Sequence, residues 1–179
     1  MIQIVDNFLS NQDAIQLHSH ALSAPYYRLQ SSDHSNRDSL RFVHHFDVEL
    51  FDKTPVMDVV RKHVPGNTLL SAYINASDFN TTTLCHTDGD TDNETTIIAY
   101  LNSYWQVDYQ GSTMFFGGFG DDEVIKTIFP KPRRAVIFNS SIPHLAGIPS
   151  ADAPVRYTLA IKLTKKEDEK QKAEALRIR

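Results

Sequence analysis

At 179 residues, with 41% hydrophobic and 22% charged residues, the chain has the size and composition of one folded domain, which excludes a disordered or fibrous protein. A net charge of −4 offers no broad basic surface for nucleic acid, and no apolar run reaches bilayer-spanning length. Cys85 is the single cysteine, so neither an intramolecular disulfide framework nor a multi-cysteine zinc site can form.

The opening "MIQIVDNFLSNQDA" lacks a basic stretch followed by an apolar one, so it is not read as a signal peptide and a soluble, cytoplasmic protein is expected. "IQIV" reads as a short strand. A helix capped by Ser10 follows, with Ala14, Ile15, Leu17, Ala21 and Leu22 as its expected inward stripe. From Ser23 to Leu40 the chain is polar and aperiodic, and is expected to be a long surface loop able to close over a substrate. "TPVMDVVRKHV" predicts a second helix. The next segments, "TLLSAYINA", "TTIIAYL", "STMFFGG", "EVIKTIF", "RAVIFN" and "VRYTLAIKL", are short β-branched and aromatic runs broken by Gly, Pro, Asn and Asp. Repeated short strands after helices predict a mainly β sandwich or barrel with N-terminal helices. The expected domain is residues 1–163, and 164–179 is a charged tail or peripheral helix.

Between the first two of those strands lies "LCHTDGD". On extended chain, residues i and i+2 share a face, so His86 and Asp88 can converge while Thr87 turns away. A polar turn has the same composition, so the pair needs a third partner. His144, in "SSIPHLAGIP" after the strand "RAVIFN", supplies one. Two histidines and one carboxylate form the facial triad of non-haem Fe(II) oxygenases, which leaves coordination positions open. His18, His20, His34, His44, His45 and His63 are assigned surface or partly buried structural roles.

The run "DGDTDNE" also invites a calcium-loop reading, but Asn93 stands where that loop needs glycine and Ala99 where it needs glutamate. "GGFG" has no lysine and no strand-to-helix setting, so it is a turn. Arg156 stands inside the apolar strand "VRYTLAIKL". A buried guanidinium requires an anion, either an internal carboxylate or that of a ligand.

The order HxD, distal histidine, then arginine on the following strand resembles the 2-oxoglutarate and Fe(II)-dependent dioxygenases. "AYLNSYWQVDYQGSTMFF", "FPKPRRAVIFNSSIPH" and "PVRYTLAIKL" are similar to segments of their prolyl 4-hydroxylase-like branch, as is the opening "VDNFLS". The likeness covers about half the chain, Tyr73 to Leu163. It implies a double-stranded β-helix, a cupin-like jelly roll, with His86, Asp88 and His144 as iron ligands and catalytic centre. It also implies that Arg156 pairs with the distal carboxylate of 2-oxoglutarate, that Tyr100 hydrogen-bonds this co-substrate, and that Tyr73 lines the same pocket.

Fe(II), 2-oxoglutarate and O₂ are the implied cofactors, with ascorbate as an auxiliary reductant. The implied reaction hydroxylates a prolyl residue of a peptide or protein and releases succinate and CO₂. Two departures bear on the substrate: Gln110 replaces the first glycine of a glycine pair, and "NASDFNTTTLC" lacks the usual glycine before HxD. A free amino acid or another small molecule is therefore the alternative substrate. A cupin-like metal-binding module without 2-oxoglutarate, catalytic or not, is the remoter alternative.

Overall fold

The computed structural model describes residues 1–30, 40–81, 83–118, 120 and 123–166. Strand β1 (Ile2–Val5) leads into helix α1 (Asn11–Ser23), and the hairpin β2 (Tyr27–Gln30) and β3 (Leu40–His45) follows. Helices α2 (Val48–Phe51) and α3 (Pro55–His63) precede β4 (Asn67–Ser77) and β5 (Glu94–Tyr100). A 3₁₀ turn at Val107–Tyr109 then precedes β6 (Thr113–Phe116), β7 (Val124–Ile128), β8 (Ala135–Asn139), β9 (His144–Ala146) and β10 (Arg156–Lys165).

The architecture is mainly β. Seven strands form one sheet in the order β1-β8-β5-β10-β4-β3-β2, and three form a second in the order β7-β6-β9. Their pairings are antiparallel. Period-two alternation gives the large sheet two working faces. One face presents Leu69, Ala72, Ile74, Ile97, Ala99, Ala135, Ile137, Leu159, Ile161 and Leu163 to the helices, where Phe8, Leu9, Ala21, Phe51, Met57 and Val60 close the core. Side chains of the other face, Tyr100, Val136 and Phe138, meet Phe115 and Ile128 of the small sheet. Polar residues of that second face are the ones left for chemistry.

Helices α1 and α3 form where the sequence predicts them, and the one-turn α2 is an addition to that reading. Ser10 accepts a hydrogen bond from the Asp13 amide as N-cap of α1, and Pro55 opens α3. The inward stripe of α1 is narrower than expected. Ala21 is buried and Ala14 and Leu17 pack on the core, but Ile15 and Leu22 are largely exposed. Successive helical residues are about 100° apart, so a stripe centred on Ala14, Leu17 and Ala21 carries Ile15 and Leu22 away from it.

The loop expected from Ser23 to Leu40 is corrected. Ser23 ends α1, Tyr27–Gln30 is a strand, and Leu40 opens the next. β2 is the edge strand of the large sheet, where a polar sequence can still pair through its backbone. The remaining segment, 31–39, with its expected role as a lid, lies outside the described residues, as does 167–179. β10 itself runs on to Lys165. Among the described residues no helix is long and apolar enough to cross a membrane.

Gln110 has φ 54° and ψ −137°, a conformation that suits glycine and strains a residue with a Cβ. Its carbonyl accepts from Trp105 Nε1 at 3.0 Å, and its side chain is exposed. Gln110→Gly is therefore expected to stabilise the protein by about 1 kcal/mol, the strain relieved exceeding the added chain entropy of the unfolded state. Urea unfolding measures this, and a destabilised variant would refute the assignment of strain.

Candidate metal centre

The HxD segment is not a regular strand; it is bound to the β8–β9 connection by its backbone. His86 N donates to His144 O at 3.0 Å and His144 N to His86 O at 2.9 Å, forming a single antiparallel bridge. Two residues on, the Asp88 and Gly89 amides both donate to Ser140 O, at 2.8 and 3.1 Å. The chain is tight at Gly89, where a Cβ would displace the Glu94 carboxylate and come within 3.1 Å of Ser140 Cβ. The expected convergence of His86 and Asp88 holds, with a bridge and a bend doing what the strand reading assigned to pleat.

These bonds bring His86, Asp88 and His144 together, with one ligand atom of each within 4.8 Å of the others. His86 Nε2 lies 3.6 Å from Asp88 Oδ1, and His144 Nε2 3.6 Å from Asp88 Oδ2. Each Nδ1 faces the carbonyl two residues back, His86 to Leu84 O at 2.8 Å and His144 to Ile142 O at 3.1 Å. A carbonyl only accepts, so each Nδ1 carries the proton and each Nε2 presents its lone pair to the carboxylate. Burial pulls the His144 imidazole down to about 4, against the opposing influence of Asp88, which keeps it a neutral ligand. Burial raises the Asp88 carboxyl, but its surroundings, the Lys162 charge 2.9 Å away among them, outweigh it and hold the group below the ordinary carboxylate range. Phe138 and Phe115 wall in the His144 ring, with centroids 4.8 and 5.9 Å away. Two imidazoles with fixed ring orientations and one ionised carboxylate fit a divalent first-row metal.

Arg156 begins β10 on the same sheet face. It is 2% exposed, its Nη1 donates to Gly111 O, and its Nε has no hydrogen-bond partner. Among the described residues no carboxylate makes an ion pair with it, so the internal salt bridge that a strand arginine could make is not what holds it. Tyr100 pairs across the strands with Thr158 and is fully buried, its hydroxyl 2.8 Å from Thr113 Oγ1. Burial raises its pKa, partly offset by Thr113 and the Arg156 charge. Tyr73 is half-buried on β4 nearer the triad, with the His45 ring 5.3 Å and the Lys162 ammonium 5.8 Å from its centroid. Of two hollows, of about 350 and 560 Å³, neither includes a triad residue, but the larger is lined by Gly111, whose carbonyl Arg156 bonds, and by Leu145 beside His144.

Lys162 was not singled out by the motif. Its Nζ lies 2.9 Å from Asp88 Oδ1 and 3.4 Å from the Asp88 carbonyl. Residue parity would have found it, since positions 156, 158, 160 and 162 share a strand face. Among the other histidines, His20 and His44 face each other with Nε2 atoms 3.0 Å apart, away from the triad, and His34 lies outside the described residues.

No family model matches the chain, and no curated protein does. Solved structures are similar in fold. A prolyl hydroxylase from Trichoplax adhaerens, in complex with a hypoxia inducible factor peptide fragment, matches with TM-score 0.66 and 17% identity over 93% of this chain and 84% of that one. A Pseudomonas putida prolyl-4-hydroxylase matches with TM-score 0.63 and 13% identity over 92% of both chains. HygX from Streptomyces hygroscopicus, with nickel and 2-oxoglutarate bound, matches with TM-score 0.64 and 10% identity over 92% of this chain and 83% of that one. The chain therefore has the fold shared by these oxygenases.

Replacing His86, Asp88 or His144 by Ala is expected to weaken Co(II) binding, measured by anaerobic calorimetry, by more than the roughly 10–100-fold that loss of an outer partner of a ligand costs. Circular dichroism should show the fold retained. Wild-type affinity in His144→Ala would remove the residue from the ligand set.

Proposed function

We propose that the protein is a 2-oxoglutarate- and Fe(II)-dependent dioxygenase that hydroxylates a prolyl residue in a peptide or protein. The observation that carries the co-substrate assignment is Arg156, a buried guanidinium with an unpartnered Nε and no carboxylate of the described chain beside it. A dicarboxylate spanning the cleft would give that charge its counter-ion at one end and reach the metal with the other. The two packed sheets are read as a double-stranded β-helix, a jelly roll forming one catalytic domain that ends with β10.

In this reading His86, Asp88 and His144 hold Fe(II) and leave positions for 2-oxoglutarate and O₂. The metal supplies the activation of O₂ when bound, and the overall reaction converts 2-oxoglutarate, O₂ and a C–H bond into succinate, CO₂ and an alcohol. This chain's residues position the participants. Arg156 fixes the distal carboxylate, Tyr100 and Thr113 place hydroxyls along the path, and Phe115 and Phe138 exclude water from the His144 side. The prolyl substrate draws support from the fold shared with prolyl hydroxylases, one of them solved with a peptide.

Anaerobic addition of Fe(II) and 2-oxoglutarate is expected to produce the weak visible absorption of the chelate. Arg156→Ala should weaken 2-oxoglutarate binding by about 2–5 kcal/mol, the cost of truncating a buried charge partner. Arg156→Lys should fall between, because it keeps charge but loses the fork. Unchanged affinity in the Ala variant would refute the co-substrate role.

Proline-containing peptides are expected to stimulate succinate formation and to gain one oxygen atom on the proline, read by tandem mass spectrometry. A broad peptide library without such a product, alongside turnover of a metabolite, would replace the prolyl substrate and leave the metal and co-substrate assignments standing.

A further inference from the structure

β10 carries two cations on its inward face, Arg156 at its start and Lys162 six residues on. At about 3.3 Å per residue their Cα atoms are roughly 20 Å apart, so they serve opposite ends of the cleft. Lys162 reaches the metal end. Its ammonium contacts Asp88 Oδ1 at 2.9 Å and the Asp88 carbonyl at 3.4 Å, and hydrogen-bonds Tyr73. Its side chain is 24% exposed, against 5% for that of Asp88, so the lysine can be reached from solvent where the carboxylate cannot.

Asp88 is the carboxylate in ion-pair contact with Lys162 among the described residues, while the Glu94 carboxylate lies against the chain at Gly89. Within the proposed function a divalent metal at the triad would take Asp88 as its ligand. Lys162 would then be the cation of the centre whose contact partner is taken over.

We infer that Lys162 binds a carboxylate of the primary substrate and so places the adjoining C–H bond at the metal. The substrate class is then a carboxylate whose acid group lies a few bonds from the carbon oxidised. Two sources share this chemistry: a free amino acid such as proline, and a peptide with an acidic residue beside its proline. An ammonium suits this task, as a compact charge with three donors that can hold Asp88, Tyr73 and a substrate oxygen at once.

The inference rests on the proposed function, and its test separates the two. Matched acid and amide ligands are titrated calorimetrically against protein loaded anaerobically with Fe(II) and 2-oxoglutarate: L-proline against L-prolinamide, and a peptide containing Asp-Pro against its Asn-Pro counterpart. In one pair the acid is expected to bind about tenfold tighter or more, the effect of one charge-assisted hydrogen bond. That pair identifies the source. The preference should vanish in Lys162→Met and Lys162→Gln and persist in Lys162→Arg.

No preference in either wild-type pair overturns the inference. So does a preference that survives in both neutral variants, or neutral variants that weaken 2-oxoglutarate binding while the preference stays. Repeating the titrations on zinc-loaded protein without 2-oxoglutarate reads the role of Lys162 even where the chelate absorption fails to form, the result that sinks the proposed function alone.

Discussion

The centre depends on one backbone interaction, the reciprocal pair of hydrogen bonds between His86 and His144. A single bridge joins the connection after β4 to the start of β9, and with it two segments almost sixty residues apart in the chain. The Asp88 and Gly89 amides, both donating to Ser140, set the angle at which the carboxylate enters. The ligand geometry is thus held by main-chain bonds near the sheet ends, where each donor has a fixed direction. Rotamer choice then has little left to decide, because each imidazole is pinned by a carbonyl at Nδ1.

β10 shows how the same strand serves stability and chemistry. Its outward residues Leu159, Ile161 and Leu163 lie in the core beneath the helices. Its inward residues Arg156, Thr158 and Lys162 face the cleft between the sheets. The alternation allows two desolvated cations in an otherwise apolar strand, because the opposite face supplies apolar burial of about 25 cal/mol per Å². A one-residue slip would exchange the faces and destroy both functions at once. The central position of β10, paired on both sides by β5 and β4 over most of its length, makes such a slip costly.

Most of the site is legible in the sequence because its signals are local or ordered. HxD is a two-residue spacing, His144 follows a strong β-branched run, and Arg156 stands out against apolar neighbours. The strands from β4 to β8 are legible for the same reason. What escaped was decided by context rather than composition. β2 and β3 are polar and become a hairpin at the sheet edge only because β4 offers a partner. Ile15 and Leu22 fit an inward stripe by type, yet the helix turns them to solvent. Lys162 carried a signal in its parity with Arg156, but a lysine near the end of a strand reads as a solvent-facing residue until Asp88 is seen opposite it. Gln110 stands where the resemblance expects glycine, and its positive φ is a conformation that favours glycine.

The electrostatics of the centre explain how a buried carboxylate can exist before any metal arrives. An isolated ionised group 5% exposed would be driven to protonate or to distort the fold. Lys162 supplies the missing positive charge from the open side. In the proposed function the same ammonium would have two parts in turn, because a metal at the triad would take Asp88 as its ligand. Lys162 would first be counter-ion to that carboxylate and then a cation able to meet an entering acid group, while the backbone bonds that converge on His144 and Ser140 are independent of either part.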